Sequence, residues 1–425
     1  MVEVSYGKPF VASHAFFKEM ARSSRATDTQ KDKGFFVSPP LCYWRKMTVY
    51  VDRVESYDVE LVAASVRKAF TGLDLKLPKE PSVVLKPNIV GEFSQKSAAV
   101  TNPNVVEAVI QILRETGVRN ITVCEGPGVG QDVEKTFEKT GYKNLCERLD
   151  VPLVDLNSAE RVSVPWVFGK IKLPKIILKS DYYINIPKMK THGQTKVTLA
   201  MKNQKGLLLP EDKKRFHVRW GLNKAIVELA KTLSPNLNIV DGVIAMEGEG
   251  PLRGRKINAN VLVYGENMVE VDAATVMLMG YKPDDVEHIA FAANDRLGSL
   301  KPEVLGKKMV EYRRDFAKAN QEYGHVLNIY SWRNPHACSM CIQSFSDAIK
   351  LAVKTPRYWL TKVPKLTWYA LWMKLHLVQG KKACLPEMDG RVICFGNCTK
   401  ELAETHGLSW IPGCPPKPED VLDAL

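Results

Sequence analysis

Six of the nine cysteines crowd the last fifth of the chain: Cys338, Cys341, Cys384, Cys394, Cys398 and Cys414. Cys338 and Cys341 stand in "HACSMCIQSF", just ahead of a helical pattern formed by Ile342, Phe345, Ile349 and Ala352. Cys394 and Cys398 follow in "VICFGNC", and Cys414 in "IPGCPP". Two residues between cysteines let both sulfurs point at one site from a turn entering a helix. The positive end of that helix favours the thiolate form that a metal needs. Four thiolates hold either a zinc ion or a [4Fe–4S] cluster, and the spacing leaves both open. Cys42, Cys124 and Cys146 are scattered.

A second group of residues suits anion binding and proton transfer. "LKPNIVG" puts Lys86 and Asn88 at a strand end, where ligands bind in open parallel sheets. "EGPGVGQD" places Gly126, Gly128 and Gly130 between a strand and a helix, as an anion cradle or a plain tight connection. It has neither Walker nor dinucleotide spacing. "NIPKMKTHGQTKVTLAMKNQKGLL" gathers Lys188, Lys190, His192, Lys196, Lys202, Asn203 and Lys205 within 18 residues. Lysines supply point charge, a histidine titrates near neutrality, and an amide orients a substrate. The alternative is a basic surface loop. "KKRFHVRWG" adds Arg215, His217 and Arg219 to the same field. Asp241, Glu247 and Glu249 in "VDGVIAMEGEGPLRGR" suit a metal, a lysine partner or a general base. Asp272 reads as a helix N-cap.

The elements that must carry these residues alternate from about 46 to 330. "SVVLKPNIV" reads as a buried strand. "NPNVVEAVIQILRETG" reads as an amphipathic helix with Asn102 as N-cap, Pro103 in the first turn and Gly117 as the stop. "NITVCE", "VPLVDL", "LNIVDGVIAM" and "NANVLVYG" read as strands, and "GLNKAIVELAKTL" and "VDAATVMLMG" as helices. This order predicts an α/β fold, a mostly parallel sheet covered by helices. The expected organisation is an extended lead-in over 1–45, an α/β core over 46–330 and a smaller cysteine-rich iron–sulfur unit over 331–425. The stretch 358–379 is apolar and aromatic but broken by lysines. It reads as a helix packed on the core or as a peripheral membrane or partner-docking helix, with Trp359, Trp368, Tyr369 and Trp372 as its contact residues.

With 425 residues, the chain exceeds one ordinary core. Sixty basic against 47 acidic residues give a net charge of +13, which fits an anionic partner or a basic surface without specific role. No nucleic-acid module is recognisable. Neither a secretory signal nor an apolar span is visible, so the expected location is cytoplasmic.

Two resemblances enter here. "VVLKPNIV", "TNPNVVEAVIQILRETG", "ITVCEGPG", "INIPKMKTHGQTKVTLAMKNQKGLL" and "IVDGVIAMEGEGP" resemble, in that order over about 80–290, the family called domain of unknown function 362. "CSMCIQSF…VICFGNC…WIPGCPPKPEDVLDAL" resembles the cluster-binding part of the nickel–iron hydrogenase small subunit and its complex I relative. The second resemblance implies Cys338, Cys341, Cys398 and Cys414 as ligands of one [4Fe–4S] cluster, with Cys394 as a substitute. Together they imply an iron–sulfur oxidoreductase of anaerobic-type metabolism, acting on an anionic metabolite and served by an electron donor such as a ferredoxin. His192, Lys190 and Lys188 are the expected catalytic residues. Lys86, Asn88, Lys202, Asn203, Gly128 and His217 are the expected substrate-binding residues. The alternatives are an electron-transfer or assembly subunit without its own substrate, and a cluster-dependent hydratase or lyase.

Overall fold

A computed structural model describes residues 48–425 except 253, 307, 320–322, 334–339, 381–382, 384 and 386–388. The expected lead-in over 1–45 lies outside the described residues, as do Cys338 and Cys384.

The principal sheet follows from runs of apolar residues buried on both faces. Its strands include β1 (Thr48–Arg53), β2 (Ser82–Pro87), β3 (Asn120–Glu125), β4 (Leu153–Asp155) and β7 (Tyr182–Ile186). β8 (Lys188–His192), β9 (Lys196–Thr198), β10 (Leu237–Glu247), β11 (Arg255–Gly265) and β12 (Glu303–Gly306) complete it. The order is β12-β1-β11-β10-β7-β2-β3-β4, with β8 pairing β10 and β9. From β10 through β7, β2 and β3 to β4 every neighbour is parallel. β11 runs antiparallel to both β10 and β1. The sequence expectation of a mostly parallel, helix-covered sheet is therefore met.

Period-two alternation sorts the side chains between the two faces. On β11, Val261 and Val263 pack with the helices Leu222–Thr232 and Met268–Leu278. Leu262 and Tyr264 pack with the helices Val59–Gly72 and Pro103–Glu115. Helix Pro103–Glu115 starts as its sequence requires: Asn102 accepts the N–H of Asn104 at 2.9 Å, and Pro103 occupies the first turn. Gly117, at φ +92°, takes the left-handed conformation beyond its end.

A second sheet, β13 (Tyr323–Val326), β14 (Ile329–Arg333), β15 (Leu375–Gln379), β16 (Arg391–Phe395) and β17 (Ser409–Ile411), is parallel from β14 onward. One face packs Leu375, Leu377, Ile393 and Phe395 with Ala348 and Ala352 of helix Met340–Lys354. The other face buries Val378 and Cys394 against Ala403.

Three readings need correction. The stretch 358–379 is not one helix. It forms the helices Pro356–Thr361 and Val363–Leu371, then strand β15. Pro364 fits the first turn of a new helix, and "LHLVQ" is buried along its whole length as an inner strand. Asp272 caps no end of its own helix. Asn267 does so, accepting the N–H of Val269 and Glu270. The segment before β7, for which the sequence reading names no element, contains the hairpin β5 (Arg161–Trp166) and β6 (Gly169–Pro174). No helix among the described residues is long and apolar enough to cross a membrane.

Replacing Asn102 by Ala should cost about 1 kcal/mol of stability in urea unfolding, and replacing it by Gly only a few tenths. No loss from either substitution would show that the cap hydrogen bond contributes nothing.

Candidate functional site

The carboxyl ends of the inner strands collect buried ammonium groups. Lys86 ends β2 and pairs with Glu125 at the end of β3, Nζ to Oε2 at 2.8 Å. Both side chains are buried, and Glu125 also accepts the N–H of Ile89 and Gly126. Lys188 lies opposite Asp241 in the β8–β10 register and pairs with it at 2.7 Å. Its amine also donates to the Tyr57 hydroxyl at 2.6 Å, and that hydroxyl donates to Asp241 at 2.9 Å. Asp241 further accepts the N–H of Asn102 at 2.9 Å. Burial pushes the Lys188 pKa down, against the Asp241 charge that raises it. Burial and the same carboxylate push the Tyr57 phenol well up.

Three further lysines are buried without a carboxylate. Lys190 donates to Asn88 Oδ1 and to the Ala99 carbonyl, each at 2.7 Å. Burial and the neighbouring Lys188 charge lower its pKa to about 7. Lys202 donates to Thr198 Oγ1 at 3.2 Å, and burial drives its pKa well down. Lys213 donates to the carbonyls of Gly126 and Pro127, both at 2.9 Å, and burial lowers its pKa to about 8. Lys190 and Lys213, titrating near neutrality, mark a functional-site candidate, because a neutral lysine can accept a proton and a protonated one can hold an anion.

His192 is buried at the end of β8. Its Nδ1 accepts the N–H of Gln194 at 3.0 Å and of Thr195 at 3.2 Å. Two donors on Nδ1 leave the proton of the neutral ring on Nε2. Asn203 opens an amide chain. Its Nδ2 donates to Asn185, Asn185 Nδ2 to Asn238 (each 2.8 Å), and Asn238 Nδ2 to the Gly265 carbonyl at 3.2 Å. The N–H of Gly128 donates to Val90 and that of Gly126 to Glu125, so the glycine loop turns two carbonyls toward Lys213. His217 lies in helix Pro210–Val218. Asp272 is fully buried, accepts the N–H of Ala200 and Met201, and is pushed by burial to about 7.

Thus Lys86, Lys188, Lys190, Asn88, Lys202 and Asn203 do gather at the strand ends, interlocked through protein acceptors. Tyr57, Glu125, Lys213, Asn185, Asn238 and Gly206 were not singled out from the sequence. Gly206 is essential to the arrangement. A Cβ there would strike Glu125 Oε1 and come within 2.6 Å of Lys86 Nζ.

The late cysteines stand at the end of β16 and β17. Asn397 donates its N–H to Gly413 at 2.9 Å, and Gly413 donates to Asn397 Oδ1 at 2.8 Å. These bonds fix the loops carrying Cys398 and Cys414 side by side. Cys341, on the helix packed over β16, places its Sγ 3.2 Å from where a Cβ of Gly396 would stand. Ser344 of the same helix donates to Pro416. The missing side chain at Gly396, one thiol on the helix and two on adjoining loops suit a thiolate-held group by residue type. Among the described residues, no group of three or more His, Cys, Asp or Glu side chains is arranged to hold a metal ion. Cys394 points to the opposite face, its thiol pushed by burial to about 11.

Gly206→Ala should lose about 3 kcal/mol in urea unfolding, the cost of splitting a buried ion pair. Gly193→Ala should change stability by less than about 0.5 kcal/mol, because nothing stands within 4 Å of its Cβ position. Lys190 binds a proton more weakly folded than unfolded. Its contribution to stability should therefore rise with pH from about 7, by at most about 1.4 kcal/mol per unit. Lys190→Met should lack that rise when the two pH–stability curves are compared, and parallel curves would contradict it.

Comparison with known proteins follows the same division. The chain is similar to "Thylakoid-associated protein sll1697" of Synechocystis sp., 28% identical over 254 residues, 58% of this chain and 78% of that protein. Its fold has a distant likeness to the lactate racemase apoprotein from Thermoanaerobacterium thermosaccharolyticum, with a TM-score of 0.38, 9% identity and 86% of each chain covered. A likeness that weak carries no argument about function. The cysteine loops lie outside the family match. Residues 83–277 match the family described as Domain of unknown function (DUF362), and that segment holds every lysine of the strand-end cluster.

Proposed function

We propose that this chain is an iron–sulfur oxidoreductase acting on an anionic small metabolite. The observation that carries the reading is the trio Lys190, Lys202 and Lys213, buried without a carboxylate and lowered in pKa. Such amines lack their natural counter-charge. An anion entering among them would supply it and raise their pKa, so binding would take up protons. Lys86 and Lys188 are already matched by Glu125 and Asp241 and hold the frame. His192, with its proton on Nε2, and Lys190 are the proton donors to a reduced substrate. Asn88 and the Ala99 carbonyl, both from the loop after β2, steady the Lys190 amine.

Cys341, Cys398 and Cys414, with Cys338 from outside the described residues, would hold a [4Fe–4S] cluster. When bound, such a cluster supplies electrons one at a time, and a small electron-carrier protein such as a ferredoxin would replenish it. The competing reading, an electron-transfer subunit with no substrate, draws on one observation: each strand-end lysine already meets a protein acceptor.

Protein prepared without oxygen should be brown, with iron and sulfide in about a one-to-one ratio. Cys398→Ala and Cys414→Ala should each lose most of that iron. Colourless, iron-free protein after anaerobic reconstitution would end the cluster reading. Titration calorimetry of small carboxylates and phosphates, in buffers of different ionisation enthalpy, tests the pocket. Affinity should fall about tenfold per pH unit for each lysine that must be charged, above about pH 7 to 8. Lys190→Met should take up about one proton fewer. Failure of the whole panel to bind would favour the subunit reading.

A further inference from the structure

The helices Pro356–Thr361 and Val363–Leu371 leave large apolar side chains in water. Trp359 is 53% exposed, Trp368 57% and Trp372 72%, with Leu360 and Leu371 exposed beside them. Trp359, Leu360, Val363, Pro364, Trp368 and Trp372 line one open groove of about 400 Å³. Monomers rarely expose a contiguous apolar patch of this kind without a use for it. Along the chain the charge of this segment has one sign. No Asp or Glu occurs between Asp347 and Glu387. Lys354, Arg357, Lys362 and Lys365 lie in or beside the two helices.

We propose that this helix pair is a peripheral anchor for an anionic lipid bilayer. Tryptophans favour the headgroup level, where an apolar ring and an N–H are both satisfied, and lysines and arginines beside them meet lipid phosphates. Six- and nine-residue helices are far too short to span a bilayer, so the contact lies in its surface. The same charge disfavours a second copy as occupant, because two such faces would bring cations against cations. A partner protein would need an acidic rim around an apolar knob, whereas an anionic bilayer presents both features over any area.

The test is co-sedimentation of the full chain with vesicles of phosphatidylcholine alone, or with about one third phosphatidylglycerol. Binding to the anionic vesicles should be at least about tenfold stronger and should weaken as salt shortens the screening length. The triple substitution Trp359→Ala, Trp368→Ala, Trp372→Ala should abolish it. The double substitution Lys362→Glu, Lys365→Glu should reduce it about tenfold or more. All these side chains are solvent-facing or rim positions, so the circular dichroism melting curves should match the parent's and separate lost binding from lost folding. Binding to neither vesicle, or equal binding to both, overturns the proposal. So does binding that survives the tryptophan substitutions, or a vesicle-free dimer that those substitutions dissolve.

Discussion

Two ammonium–carboxylate pairs, Lys86–Glu125 and Lys188–Asp241, sit buried where the inner strands end. A buried pair adds little stability compared with apolar residues of the same shape, but removing one partner leaves an unmatched charge and is severe. Much of the local architecture serves that condition. Asp241 binds the Lys188 amine, the Tyr57 hydroxyl and the N–H that opens helix Pro103–Glu115. Glu125 binds Lys86 and the backbone N–H groups of Ile89 and Gly126. The chain segments from the β1 side, the β2 loop and β10 are thereby tied to one another through two carboxylates.

Against that neutralised frame the remaining lysines stand out. Lys190, Lys202 and Lys213 have neutral oxygens for partners, which satisfy hydrogen bonds without balancing charge. Burial, helped by neighbouring ammonium and guanidinium charges, then lowers the pKa of each. A frame with balanced charges and a movable set without them separates holding from reacting. The two kinds of lysine are nearly indistinguishable by type or by spacing along the chain.

That is why the sequence reveals the fold better than the site. β2, β3, β10 and β11 announce themselves as apolar runs bounded by turn residues, and Asn102–Pro103 marks a helix start by local chemistry alone. Hairpin β5–β6 hides because Pro165 and alternating lysines dilute its pattern. The stretch 358–379 misleads because its apolar content outweighs the proline and the strand-like "LHLV". The lysines are visible as residue types. Their partners come from 39, 53 and 131 positions away, for Glu125, Asp241 and Tyr57, and no window of sequence contains such a pairing. Gly206 is missed for the same reason: it matters for an atom it lacks, beside residues remote in sequence. In the second sheet, the alternation of β16 separates Cys394 from the face that carries Cys341, a distinction that cysteine spacing does not carry.

The amide chain has a direction. The Gly265 carbonyl on β11 can only receive a proton, so Asn238 must offer its nitrogen there. Asn238 then shows its oxygen to Asn185, and Asn185 shows its own to Asn203. With each link set by the one before, the last amide has no choice of flip. A main-chain oxygen on β11 thus decides which end of Asn203 faces Asn185 on β7, two strands away, and the polarity of that corner is written into the sheet itself.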